Sequence, residues 1–127
     1  MSLITLGVVA LDCPAPRELA AFYAAALDWR VVDDGDDADD EWIEVAGPNG
    51  RALAFQRVDE GYRPPQWPGQ DVPQQLHLDF DVPRDRIDEA ERKITELGAK
   101  LVQHDEGVRN FRVYLDPVGH PFCLCFR

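Results

Sequence analysis

The 127-residue chain has no apolar run long enough to cross a bilayer as a helix, so a membrane is not an expected partner. Its opening, Met1-Ser2-Leu3-Ile4-Thr5-Leu6, has no basic stretch leading into a long apolar core. No secretory leader is therefore expected, and the expected location is cytoplasmic. Basic charge is scarce: 13 Lys and Arg stand against 24 Asp and Glu, for a formal net charge of −11 at pH 7. With no basic cluster to offset that balance, a phosphate backbone would be repelled, and nucleic acid is excluded as an expected partner. Cysteine is scarce too, at Cys13, Cys123 and Cys125. On a strand the last two would share a side about 7 Å apart, too far for a disulfide. An odd count suits a reducing compartment, and all three read as free, mostly buried thiols. The acidic block Asp33-Asp34-Gly35-Asp36-Asp37-Ala38-Asp39-Asp40-Glu41 lacks the ordered spacing and closing Glu of a calcium loop. It reads as a mobile, solvated loop.

What is present is globular. The hydrophobic share is 45% and the charged share 29%, and a chain of this length can bury a core without disulfides or metal. One domain over 1–127 is the expectation. Leu3–Asp12 is rich in Leu, Ile and Val and ends at Asp12-Cys13-Pro14-Ala15-Pro16, a strand running into a turn. Arg17–Leu27 follows as a helix with Leu19, Phe22, Tyr23 and Ala26 on one face and Pro16 suited to its first turn. Strands are expected at Arg30–Asp33, Glu41–Ala46 and Arg51–Val58, the last two joined by the turn Gly47-Pro48-Asn49-Gly50. Residues 59–74, rich in proline and holding Tyr62 and Trp67, read as an extended connection.

The order then recurs. Gln75–Val82 predicts a strand, Pro83–Leu97 a helix stopped at Gly98, Lys100–Val102 and Phe111–Leu115 two strands, and His120–Phe126 the last strand after the turn Asp116-Pro117-Val118-Gly119. Leu11 corresponds to Phe80, Leu27 to Leu97 and Gly47 to Asp116, offsets of 69, 70 and 69 residues. The chain is therefore read as an α+β protein of two βαβββ modules, 1–58 and 75–127, joined by 59–74. A sheet with one helix buries one face, and two such modules with mixed sheets can turn their open faces around a common pocket. Such concave spaces take small molecules, the expected partner.

Alternation sorts the strands. Leu76, Leu78, Phe80 and Val82 should face the helix, leaving His77, Asp79 and Asp81 on the pocket side. Phe122, Leu124 and Phe126 form the bulky row, leaving Cys123 and Cys125 toward the pocket. In the first module Leu53 and Phe55 face the helix, and Ala54 and Gln56 the pocket. Facing is ambiguous for Trp42 or Ile43 and for Arg112 or Tyr114; Trp42, Arg112 and Tyr114 enter the candidate ligand-binding set with Gln56, Asp79 and Cys123. Trp42, Trp67, Tyr62 and Tyr114 offer faces for a planar ligand or serve as core and linker packing. His77 is the candidate catalytic residue, able to act as an acid–base group or a hydrogen-bond donor, with Asp79 placed to orient it; an ordinary pocket histidine is the competing reading. His104 and His120 fall in or beside loops and read as solvated or structural.

The βαβββ repeat, the Ala21-Phe22-Tyr23 helix and Asp116-Pro117-Val118-Gly119-His120-Pro121-Phe122 resemble the vicinal oxygen chelate superfamily of glyoxalases, bleomycin-resistance proteins and extradiol dioxygenases. Pro73-Gln74-Gln75-Leu76-His77-Leu78-Asp79 is similar to its glyoxalase-like subgroup. The resemblance implies the two-module fold over almost the whole chain and leaves the activity open, because the superfamily hosts lyases, epimerases, dioxygenases, transferases and drug-binding proteins. Its metal positions carry over to Val8, Gln56 (or Ala54), His77 and Cys123, where the family has His or Gln, Glu, His and Glu. Only His77 matches, so no metal ligand set is assigned and the cofactor stays unknown, a divalent metal having an incomplete set. Three functions compete: a binding protein of the drug-resistance type, a metal-dependent lyase, isomerase or dioxygenase, and a metal-free acid–base enzyme using His77. Monomer and homodimer are both compatible with the two modules.

Overall fold

A computed structural model describes residues 2–32 and 40–127. Asp33–Asp39, most of the acidic block expected as a solvated loop, lie outside the described residues. The chain divides into two compact units, Met1–Tyr62 and Arg63–Arg127.

In the first unit, β1 (Val9–Cys13) leads into α1 (Pro16–Leu27), followed by β2 (Arg30–Val32), β3 (Trp42–Gly47) and β4 (Gly50–Arg57). The sheet order is β1-β4-β3-β2, with β1 parallel to β4 and the remaining pairs antiparallel. Pro16 sits in the first turn of α1, where its missing N–H leaves no bond unmade. The helix ends at Asp28, whose φ of 55° lets the chain reverse into β2. Leu19, Ala20, Phe22 and Tyr23 are buried from its inner face, and Tyr23 stacks on Phe55 of β4 at 5.6 Å between centroids. Burying an aromatic of this size contributes about 1.5–3 kcal/mol, so this ring pair anchors the helix to its sheet. Gly47 is required by close approach: a Cβ there would lie 2.6 Å from Cε2 of Trp29. Pairing of β1 begins only at Val9, and Leu3, Ile4 and Leu6, expected in that strand, are exposed. Apolar composition favours a strand, but a strand needs a paired neighbour.

The second unit repeats the plan. β5 (Leu78–Asp81) is followed by a 3₁₀ turn (Arg84–Arg86), α2 (Ile87–Glu96), β6 (Lys100–Asp105), β7 (Phe111–Leu115) and β8 (Pro121–Cys125), in sheet order β5-β8-β7-β6. β5 is parallel to β8 and the other pairs are antiparallel. Tyr114 stacks on Phe122 at 5.6 Å, and Phe80 meets Phe122 edge-on at 5.9 Å, the aromatic layer beneath α2. Asp116 accepts from the backbone N–H groups of Val118 and His120, both at 3.0 Å, which fixes the turn before β8.

Several boundaries differ from the sequence reading. Gln75, Leu76 and His77 precede β5, and Leu76 is exposed instead of helix-packed. The expected helix Pro83–Leu97 opens as a 3₁₀ turn because Pro83 is extended, at ψ 136°, and Arg86 sits at φ −120°, outside helical geometry. β6 runs three residues past Val102, so His104 is a strand residue and not a loop one. Residues 63–74, read as part of a connection, pack within the second unit. Gln66 N–H donates to the Val72 carbonyl at 2.8 Å, and Trp67 Nε1 donates to Gln103 Oε1 at 2.8 Å. Among the described residues no helix is long and apolar enough to cross a membrane.

Candidate functional site

The site grows out of strand register. In the second sheet Asp79 pairs with Cys123, Cys123 with Val113 and Val113 with Gln103. The neighbouring row on the same face is Asp81, Cys125, Phe111 and Asp105. The intervening rows carry Phe80, Phe122 and Tyr114, and these turn toward α2. Polar and thiol side chains thus collect on the face that α2 leaves open. A bulge between Leu101 and Gln103 sets the last member of the row: without the extra residue, Val102 would pair with Val113 and Gln103 would turn away.

Over this face lies a cleft of about 460 Å³. Its floor is formed by Asp79, Cys123 and Gln103 of one row and Cys125, Phe111 and Asp105 of the other, and its walls include Trp67, His77 and Arg109. Trp67 is held by its bond to Gln103, and its ring meets the His77 imidazole edge-on at 5.1 Å between centroids. That contact and the 3.1 Å approach of His77 Nε2 to Asp79 Oδ1 fix the imidazole plane. Cys123 is buried. Burial first, then the Asp79 charge and the hydrogen bond the thiol makes to it, push the Cys123 thiol up to about 12. Cys125 is raised in the same direction, by burial first and then by Asp79 and Asp81. Thiols held this way are poor nucleophiles, so covalent catalysis by either is disfavoured. The His77–Asp79 pair can orient a histidine for hydrogen bonding or proton transfer.

Of the residues singled out from sequence, His77, Asp79 and Cys123 come together: one donor atom from each lies within 4.8 Å of the others. Arg112 and Tyr114 do not join them, and their place in the ligand-binding set is corrected. Arg112 pairs in register with Leu124 and Tyr114 with Phe122, the rows turned to α2. There Tyr114 donates to Glu91 Oε1 at 2.8 Å, and Arg112 meets Asp88 at 3.0 Å and Glu91 at 3.2 Å. Both serve the helix–sheet contact on the far side from the cleft. Gln56 and Trp42 are register partners in the first unit, on the face opposite the Tyr23–Phe55 stack. The lining also includes Gln103, Asp105 and Phe111, which sequence reasoning did not single out. Strand alternation over a longer β6 could have found Gln103, but only with its bulge known.

The superfamily implies a divalent metal. Of its carried-over positions, Val8 is apolar and cannot ligate, and Cys123 stands where a carboxylate is usual. The donors that do converge are an imidazole nitrogen, a carboxylate oxygen and a thiol sulfur, all within the second unit. That set fits a borderline-soft ion such as zinc, for which sulfur and nitrogen donors are suited, and not a hard, oxygen-seeking one.

Two four-stranded mixed sheets, each with a helix on one face, define the glyoxalase/bleomycin-resistance fold. The chain belongs to the glyoxalase-like domain family, whose family model matches residues 8–125, within the vicinal oxygen chelate superfamily. No curated protein sequence matches it significantly. Among solved structures it is similar to a mutant of the fosfomycin resistance protein FosX from Listeria monocytogenes, complexed with Mn(II) and a dihydroxypropylphosphonic acid, with TM-score 0.72, 14% identity, and 98% of this chain and 93% of that one covered. It is also similar to a glyoxalase/bleomycin resistance protein/dioxygenase family enzyme from Burkholderia phytofirmans, with TM-score 0.69, 15% identity and coverage of 92% and 94%. A glyoxalase-related enzyme from Fulvimarina pelagi gives TM-score 0.70, 17% identity and coverage of 98% and 89%. At these identities the likeness is one of fold.

Proposed function

We propose that the protein binds a small organic molecule in the cleft of its second unit and holds it unchanged. The observation that carries this reading is the cleft itself: about 460 Å³, with an indole on one wall and His77, Asp79 and Gln103 grouped beneath it. That volume falls in the range of small-molecule sites, and an aromatic wall with a few polar groups is their usual lining. The raised thiols support binding over covalent chemistry. The net charge of −11 favours a neutral or cationic ligand at long range. Cys13, Cys123 and Cys125 form no disulfide, which agrees with a cytoplasmic setting.

The test is a thermal-shift screen of planar and cationic compounds, with each hit incubated and recovered for mass spectrometry. Binding that weakens at least about tenfold in Trp67→Ala, with the compound recovered intact, is the expected result. A converted product would sink the sequestration reading. It would favour instead proton transfer by His77, whose 3.1 Å contact with Asp79 suits that role, and conversion should then be lost in His77→Ala.

A further inference from the structure

The superfamily arrangement draws metal ligands from both modules, and this chain breaks it at Val8 and Cys123. The second unit brings in a donor that the family positions do not include. Asp79 lies two residues beyond His77 and opposite Cys123 in the β5–β8 register, so its carboxylate faces both. We infer that His77 Nε2, Asp79 and Cys123 Sγ form a self-contained site for one zinc-like divalent cation, held wholly by the second unit.

The geometry is close to what such an ion needs. Tetrahedral zinc with bonds of about 2.0–2.3 Å holds its donors about 3.3–3.8 Å apart. His77 Nε2 and Asp79 Oδ1 are 3.1 Å apart, and all three donor atoms lie within 4.8 Å of one another. Small side-chain rotations close the remainder. Trp67 and the buried position of Cys123 restrain two of the three ligands in advance, and Asp79 is the adjustable one. The ion takes the place between imidazole and carboxylate, and the thiol proton leaves to solvent. Three protein ligands leave a fourth position facing the cleft, where a bound molecule with an oxygen or nitrogen donor would complete the shell. Sulfur and imidazole donors discriminate against calcium and magnesium, which want oxygen alone. The inference does not depend on the cleft taking an organic ligand, because the cation can be measured without one.

The experiment uses untagged, chelator-treated full-length protein. Zinc chloride is titrated by calorimetry, and cobalt(II) is added separately while the absorption spectrum is recorded. Expected are one ion per chain, a thiolate-to-cobalt charge-transfer band, and no competition from millimolar magnesium. His77→Ala, Asp79→Asn and Cys123→Ser should each weaken zinc binding at least about 100-fold, since even groups that merely orient metal ligands cost about 10–100-fold when removed. Asp79 is exposed at its side chain, so Asp79→Asn tests the site without threatening the fold. Cys125→Ser should leave binding intact. No saturable uptake would overturn the inference, as would uptake unchanged in Asp79→Asn and Cys123→Ser, which would put the ion elsewhere. Loss of binding in Cys125→Ser would overturn the assigned ligand set.

Discussion

Arg112 separates the two faces of the second sheet, and replacing it with methionine tests that separation. Its side chain is only 11% exposed, while its partners Asp88, Glu106 and Glu91 are 82%, 46% and 28% exposed. In Arg112→Met, Asp88 and Glu106 would regain water easily, so each pair contributes only about 0.2–1 kcal/mol. Glu91 is more enclosed and also accepts from Tyr114, so its charge-assisted bond contributes more, about 1.5 kcal/mol. The guanidinium also lies 5.7 Å from the Phe126 ring centroid, which adds about 0.5–1 kcal/mol. Methionine keeps the apolar stem packed. A loss of about 2.5–4.5 kcal/mol is expected, lowering the thermal midpoint by about 8–18 °C for a chain of this size. Urea unfolding of Arg112→Met, Glu91→Gln and the double variant measures it, and the coupling between the two should be about 1 kcal/mol. Zinc affinity, measured on folded Arg112→Met, should stay at the wild-type value because the residue lies on the far side of the sheet. A variant of unchanged stability that no longer binds zinc would refute the placement of Arg112 under α2.

Other outcomes follow from the same geometry. In metal-free protein at pH 8, Cys123 should react with iodoacetamide about 10³-fold more slowly than an ordinary thiol, because burial and Asp79 hold it up to about 12; Asp79→Asn should speed it, and wild-type labelling at the rate of a free thiol would show the environment to be wrong. The fold holds protons on Cys123 and on Tyr114, both raised chiefly by burial, so the unfolded chain releases them first as pH climbs. Their stabilising contribution is therefore complete below about pH 8.5 and declines toward 12. The metal-free urea midpoint should fall between pH 8 and 10.5, and a constant or rising midpoint contradicts the sign. Gly119→Ala should destabilise by about 1–3 kcal/mol, because φ is +99° there and an added Cβ would lie 2.6 Å from Cβ of Pro64; an unchanged melting temperature would mean that Pro64 yields freely.

Much of the fold was legible in the chain itself. The offsets near 70 residues, the Pro16 helix start, the reversal around Leu27-Asp28 and the turns at Gly47–Gly50 and Asp116–Gly119 are local signals, and local geometry obeys them. Period-two alternation placed Asp79 and Cys123 on one face because β5 and β8 are regular across that pair. Other features depended on neighbours distant in sequence. Leu3, Ile4 and Leu6 have strand-like composition but no pairing in β1. Arg112 and Tyr114 were ambiguous because β7 alternates between two kinds of large side chain, and only the Tyr114–Phe122 stack and the carboxylates of α2 decide which kind turns inward. The bulge in β6 brought Gln103 to the cleft, and its bond to Trp67 drew a proline-rich stretch into the second unit. The sequence determined the repeat, the elements and the placement of His77, Asp79 and Cys123 on one side, because those follow from spacing along the chain. The convergence of the three donor atoms within 4.8 Å was decided by tertiary structure alone, because the distance between Asp79 and Cys123 is set by how β5 registers on β8.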